Sequence, residues 1–325
     1  MYKNKNIAVV IPAYNEEQLI GRVIETMPKY VDRIIIVDDC SKDHTISVID
    51  GYQKQQPGKI VLIKHESNQG VGGAIATGYK WCRDEEIDVA VVMAGDAQMD
   101  PDDLPALLLP VVNGDADYSK GNRLLSGDAW NKIPHVRYLG NAALSLYTKI
   151  ASGYWDVADS QCGYTAINKN ALKMVNWDEM YKRYGQPNDI LVRLNIYNFR
   201  ICDVIVKPVY GIGEKSGIKP IRMIPKLFFL LTRLFIYRMV QKYIIRDTHP
   251  LVLFYALGFV LQIIVIPMLI RFFYFWIKQG SIPEITFLSL IFCMVFSFQL
   301  ILFAMWFDME ANKDLKVTAN RRSKQ

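Results

Sequence analysis

Residues 7–17 read IAVVIPAYNEE. Five apolar residues, Ile7 to Ile11, stop at Pro12-Ala13-Tyr14-Asn15-Glu16-Glu17. A short buried strand therefore gives way to a polar turn, with a helix expected from about Glu16. The same succession recurs downstream. Arg33 to Val37 runs into Asp38-Asp39-Cys40-Ser41-Lys42-Asp43 and a helix from about Asp43. Lys59 to Ile63 leads to Asn68-Gln69-Gly70-Val71-Gly72-Gly73 and a helix from about Val71, and Val89 to Met93 leads to Gly95-Asp96-Ala97-Gln98-Met99-Asp100-Pro101. Alternating strands and helices predict an α/β domain, a mostly parallel sheet covered by helices. Ligands of such sheets bind at the carboxyl ends of the strands, so four successive strand ends bring polar residues to one edge. No GxGxxG follows the first strand and no GxxxxGK[ST] occurs, which argues against dinucleotide-binding and Walker-type sites.

The rest of the 325 residues divides by charge and apolarity. Residues 1–206 carry 22 Lys+Arg against 26 Asp+Glu, whereas residues 207–247 carry 9 against 2. The overall charge of +6 thus rests on a basic segment beside apolar runs, a membrane-surface pattern and not a nucleic-acid one. The five cysteines are odd in number and form no CxxC, as expected of reduced thiols facing the cytosol. The first apolar run is too short for a signal-peptide core, so the N-terminal domain is expected in the cytosol.

Leu251 to Ile270 and Ile285 to Phe307 are uncharged runs of 20 and 23 residues, each long enough to span a bilayer. The connection Ile277 to Glu284, with Gly280 and Pro283, makes them a hairpin. Arg246 precedes it and Arg321, Arg322 and Lys324 follow it, against Lys278 in the connection, so both ends are expected in the cytosol. Between Ile221 and Ile245, Arg222, Lys226, Arg233, Arg238 and Lys242 fall near one helical face. This predicts an amphipathic interfacial helix lying on anionic membrane lipid, the alternative being a helix packed on the soluble domain. The expected organisation is a cytosolic domain (1–220), a juxtamembrane helix (221–249), a two-helix transmembrane hairpin (250–308) and a basic tail (309–325). Gly258 and the aromatic-rich spans suit packing against a second copy, a homo-oligomer.

The ordered blocks VVIPAYNEE, VDDCSKDHT, NQGVGGAIATGY and GDAQMDP resemble those of the family 2 glycosyltransferases of the GT-A fold, over about residues 5–215. With the hairpin behind them, the chain resembles the polyprenyl-phosphate glycosyltransferases, among them dolichol-phosphate mannose synthases and bacterial glucosyl relatives. That resemblance implies inverting transfer of one sugar from a nucleotide-sugar donor to a polyprenyl (undecaprenyl or dolichyl) phosphate on the cytosolic leaflet. It implies that Pro12, Tyr14 and Glu16 cradle the nucleoside and that Asp38 or Asp39 meets the base. The usual Asp-x-Asp is here Ala94-Gly95-Asp96. Asp96 and Gln98 are left to hold Mg²⁺ or Mn²⁺ against the donor diphosphate.

By the same resemblance, Arg123 of Lys120-Gly121-Asn122-Arg123, with Arg137 and Asn141, binds the acceptor phosphate, for which a guanidinium fork is suited. Asp159 to Tyr164 matches the block that closes over the sugar. Asp189 stands where many relatives carry a catalytic acidic residue. The loop from Tyr210 to Lys219 lacks the relatives' Arg, leaving Lys215 or Lys219 for the donor phosphates. The catalytic set expected is therefore Asp96, Arg123 and Asp189. A processive polysaccharide synthase, which typically carries QxxRW and more spans, and a scaffold that has lost catalysis are the competing readings.

Overall fold

The computed structural model describes residues 1–125, 135–209 and 220–318, and the chain divides into two compact units, Met1–Phe235 with Asp314–Gln325, and Ile236–Lys313. In the first unit, β1 (Ile7–Ala13), β2 (Arg33–Asp38), β3 (Ile60–Lys64), β4 (Val89–Val92), β5 (Tyr118–Asn122), β6 (Thr165–Asn168), β7 (Ile201–Ile205) and β8 (Lys316–Thr318) form one sheet, ordered β3-β2-β1-β4-β6-β5-β7-β8. Only β6 runs antiparallel to its neighbours. The sheet is mostly parallel, as expected. β1 and β2 read as continuous apolar runs because both of their faces are covered.

One face carries α1 (Ile20–Glu25), α2 (Thr45–Gln55) and α4 (Leu104–Val112), which bury Ile20, Val23, Ile49, Leu104 and Leu107 against Ile7, Val9, Ile11 and Ile36. The other carries α3 (Val71–Asp84), α6 (Lys169–Met174) and α7 (Gln186–Ile196), with Tyr79, Leu172, Leu191 and Leu194 against Val10, Ile35 and Val92. Helix α3 sits so close to β1 that a Cβ on Gly78 would collide with the Val10 side chain. α5 (His135–Ser152) packs along α7.

Helix α1 starts at Ile20, later than the expected Glu16, because the intervening residues tie the strand-end loops together. The C-terminal segment differs more. Residues 316–318 return to the sheet as β8, paired parallel with β7, where a free basic tail was expected from 309 onward.

Helix α8 (Pro220–Val240) leads into a π-helical turn, Gln241–Arg246. Its first half belongs to the first unit, where Tyr147 donates to or accepts from Thr232 Oγ1 at 2.7 Å and stacks on Phe228. The second unit holds the rest of α8 with α9 (Leu251–Gln279) and α10 (Glu284–Ala311), both long and apolar enough to cross a membrane. Ser297 Oγ donates to the Gly258 carbonyl where these two helices meet.

Of the cations expected on the lipid-facing surface of α8, Lys226 and Arg233 are exposed, whereas Arg238 and Lys242 turn inward. Arg238 is fully buried and forks onto Asp308, Nη1 to Oδ1 at 2.7 Å and Nη2 to Oδ2 at 2.8 Å. Lys242 is buried and donates to Asn312 Oδ1, while Tyr243 OH donates to Asp308. A buried carboxylate needs charged and hydrogen-bonding partners, and Asp308 draws two of the five expected surface cations inward. Ile236, Val240, Ile244 and Ile245 are exposed in this stretch, as are Arg233 and Arg246.

Candidate active site

The loops after β1 and β2 are laced together. Asn15, in the left-handed region at φ 57°, donates its backbone N–H to Ser41 Oγ at 2.9 Å, and its Oδ1 accepts from the Lys42 amide at 2.8 Å. The Glu16 amide donates to Thr45 Oγ1 and the His44 amide to Glu17. Pro12 is half-buried and Tyr14 exposed on this rim.

Asp38 and Asp39 have different surroundings. Asp39 accepts from the Gln69 and Gly70 amides at 2.8 and 2.7 Å and sits 2.8 Å from His65 Nδ1, whose Nε2 lies 2.9 Å from Thr77 Oγ1. Its carboxylate therefore fixes the β3–α3 loop. Asp38 accepts from the Ser41 amide through Oδ2, and its Oδ1 is buried with no hydrogen-bond partner. A buried acceptor without a donor is costly in a folded protein.

Asp96, Gln98, Met99, Arg123, Cys162, Gly163, Tyr164, Val206 and Lys207 line one cleft. The Gln98 amide donates to Asp96 Oδ1 at 3.1 Å, and Ala97 between them is left-handed at φ 56°. Glu16 approaches from the neighbouring loop: a Cβ on Gly95 would lie 3.4 Å from its Cγ. Burial, then the charges of Asp96 and Asp43, push the Glu16 carboxyl up to about 7. This crowding of acidic groups is what a cation relieves. Among the described residues no three His, Cys, Asp or Glu form a metal-holding group. Asp96 and Gln98 offer the cleft one carboxylate and one amide oxygen, a sparse oxygen set that suits a hard cation only when phosphate oxygens and water supply the remaining ligands. Asp100 accepts from the Asp102 amide and caps the following turn.

Arg123 stands opposite. Its Nε and Nη2 donate to the two oxygens of Asp159 at 2.8 and 3.2 Å, and its amide also donates to Asp159. Burial acts to raise the Asp159 carboxyl, but Arg123 and Lys120 outweigh it and hold the carboxyl below the usual range. Asn122 fixes the turn from the other side, accepting from the Leu124 amide and donating to Asp203.

Asp189 does not line this cleft. It is buried at the start of α7, bonded to Arg193 Nε through both oxygens and accepting from the Tyr181 amide at 2.6 Å. Burial raises its carboxyl despite Arg193. The segment it holds packs on α3: the Gly72 and Gly73 amides donate to the Lys182 carbonyl, and a Cβ on Gly72 would collide with the Tyr181 carbonyl. Asn188 beside it accepts from Gln161 and Thr148, joining α7 to the Asp159–Tyr164 loop. Arg137 and Asn141 fall within α5 with side chains outside the described residues, and Lys215 and Lys219 lie outside them altogether.

The sequence reading did not single out Lys207, which lines the cleft with its Nζ 3.6 Å from Asp100, nor the pairing of Asp39 with His65. Lys207 was within reach of the strand-end rule, since it follows β7. The His65 contact was not, because it joins residues 26 apart.

A mostly parallel sheet with acidic and phosphate-suited groups at its strand ends is the GT-A architecture. Glucosyl-3-phosphoglycerate synthase from Mycobacterium tuberculosis, solved with Mn²⁺ and UDP, superposes with a TM-score of 0.52 over 72% of this chain and 80% of that one, at 18% identity. The model of glycosyl transferase family 2 matches residues 8–175, and the chain belongs to that family. A UDP-N-acetylglucosamine–dolichyl-phosphate N-acetylglucosaminyltransferase of Methanococcus voltae is 34% identical over 64% of this chain and 87% of its own length. An undecaprenyl-phosphate mannosyltransferase of Micrococcus luteus is 32% identical over 65% and 88%. A polyprenol monophosphomannose synthase of Mycolicibacterium smegmatis is 28% identical over 64% and 80%.

Proposed function

We propose that this glycosyltransferase moves a single sugar, with inversion, from a nucleotide-sugar donor to a polyprenyl phosphate at the cytosolic leaflet. The observation that carries this reading is the cleft that brings Asp96 and Gln98 together with Arg123, in a chain with two apolar spans and relatives named for polyprenyl-phosphate acceptors.

Asp38 Oδ1, the orphaned acceptor, is the base contact, with Pro12, Tyr14 and Glu16 around the nucleoside. Asp96 and Gln98 would hold a divalent cation, Mg²⁺ or Mn²⁺, which when bound neutralises the departing diphosphate. Arg123, oriented by Asp159, offers its guanidinium to phosphate in the same cleft, and Lys207 adds charge. A lipid phosphate is ionised at neutral pH, so its oxygen attacks the anomeric carbon while the bond from that carbon to the diphosphate oxygen breaks, and no general base is needed. Asp189 suits this: both its oxygens are engaged by Arg193, and it acts by holding the 180–182 segment. Arg137, Asn141 and Lys215 complete the assignment as further phosphate contacts.

The hairpin anchors the enzyme, with both ends on the cytosolic side. The return of the chain to the catalytic sheet as β8 supports an even number of crossings. The apolar outward residues of α8 and its following turn, Phe228, Phe229, Ile236, Val240, Ile244 and Ile245, support docking into the acyl boundary more than onto anionic headgroups. Purified full-length protein incubated with a panel of nucleotide sugars, Mn²⁺ and a short polyprenyl phosphate should yield one lipid carrying one sugar by mass spectrometry. Donor hydrolysis without a lipid product, or a lipid with several sugars, would overturn this reading.

A further inference from the structure

Lys120 is fully buried in β5, and its Nζ donates to the Cys162 carbonyl. A lysine is seldom taken wholly out of water, since its ammonium loses hydration that one carbonyl does not replace. What surrounds it explains the placement. Asp203 is its register partner on β7, and the field at its Nζ includes Asp159 and Asp203 as well as Arg123. Asp203 accepts from Asn122 and from the Ala158 amide through Oδ2, while its Oδ1 is buried without a hydrogen-bond partner. The cluster therefore contains two cations and two acidic groups directly beneath the cleft. Arg123 is the member that lines the cleft, and Lys120 is not.

We infer that Lys120 is a positioning residue for transfer: its ammonium anchors the Cys162 carbonyl, and with it the Asp159–Tyr164 wall that aims Arg123 and borders the cleft. Three residues of the wall, Cys162, Gly163 and Tyr164, line the cleft, while Asp159 at its start clamps Arg123. A shift of the Cys162 backbone therefore alters the cleft wall and the Arg123 fork together. Lys120 also shares the negative field of Asp159 and Asp203. Without it, Arg123 alone would balance Asp159 and be drawn more tightly onto that carboxylate, away from an incoming phosphate. Neither effect touches Asp38 and the loops of the β1–β2 edge, so nucleotide binding there is separable from transfer.

This inference rests on the proposed transferase reading, and its test separates the two. Full-length wild type, Lys120→Met and the charge-balanced pair Lys120→Met/Asp203→Asn are compared by hydrogen exchange and by transfer from UDP-N-acetylglucosamine to a short polyprenyl phosphate. The expected result is faster exchange in peptides covering 159–164 for both variants, with residues 38–45 unchanged. The rate constant kcat should fall at least tenfold, with the donor KM within about twofold. The paired variant guards against misfolding, because it leaves no excess buried negative charge. Unaltered exchange at 159–164 overturns the role whether or not this donor is used. So does recovery of wild-type turnover in the paired variant, which would reduce Lys120 to a neutraliser of Asp203. Absence of transfer by wild type, with the local exchange change intact, would instead count against the donor or the transferase reading and leave the anchoring role supported.

Discussion

Arg123 grips Asp159 with Nε at 2.8 Å and Nη2 at 3.2 Å, so the guanidinium on the cleft wall is set in orientation by a carboxylate with no solvent exposure. A planar fork held this way keeps its direction as phosphate approaches, which a flexible ammonium does not. Arg123→Lys should therefore cost roughly 1.5–3 kcal/mol of transition-state stabilisation, about 10- to 160-fold in kcat/KM for the lipid phosphate. Steady-state kinetics with the acceptor varied provide the check, and a loss under threefold would mean that charge alone suffices.

Asp96 is the carboxylate remaining in the triplet Ala94-Gly95-Asp96. Asp96→Asn should abolish Mn²⁺-dependent binding of UDP while leaving the fold unchanged. Calorimetric titration of UDP with and without Mn²⁺ reads this directly. Metal-dependent binding that survives the substitution would move the cation site elsewhere in the cleft.

Much of this site was legible in the sequence because buried strands leave apolar runs and their ends leave polar clusters. The Asp38 and Asp96 loops are legible in that way, as are both apolar spans, whereas Arg123 comes from the family resemblance alone. What periodicity could not supply was the partner of each face. Arg238 and Lys242 do share a helical face, but the face meets Asp308 and Asn312, some 70 residues later. Asp189 has the composition of a catalytic carboxylate, yet Arg193 one turn on and the Tyr181 amide occupy it. The reversal of β6 and the return of β8 likewise depend on long-range pairing that short apolar runs do not encode.

Asp203 gives a prediction in pH. Burial lifts its carboxyl to about 6 from an ordinary 3.8, so the folded chain holds this proton where the unfolded chain has released it. Stability contributed by this group is complete below about pH 4 and declines as pH rises toward 6, by no more than about 3 kcal/mol. Asp203→Asn lacks that decline. Its melting temperature in detergent should gain on wild type between pH 4 and pH 7, and a constant difference across that window would show that the carboxyl is not raised.

The last prediction concerns the clamp between α8 and α10. Arg238 and Asp308 are both buried, so removing one partner leaves the other charge without compensation, which typically costs 3–5 kcal/mol. Asp308→Ala should therefore strongly destabilise the full-length protein. Exchanging both for apolar residues of similar size, Arg238→Met with Asp308→Leu, should be far milder, because no buried charge remains. The same geometry changes the expected role of salt. With Arg238 and Lys242 turned inward and isoleucines outward, association of this segment with lipid should depend on apolar burial and respond weakly to ionic strength, since screening acts on exposed charge. Wild type and Ile244→Glu, both in vesicles of neutral lipid, separate the two modes. Transfer by wild type should persist through 0.5 M NaCl, while Ile244→Glu should lose several-fold in transfer to long-chain acceptor and keep its membrane anchorage. A steep loss of wild-type transfer with salt, or full activity in Ile244→Glu, would return the docking role to the remaining exposed cations Lys226 and Arg233.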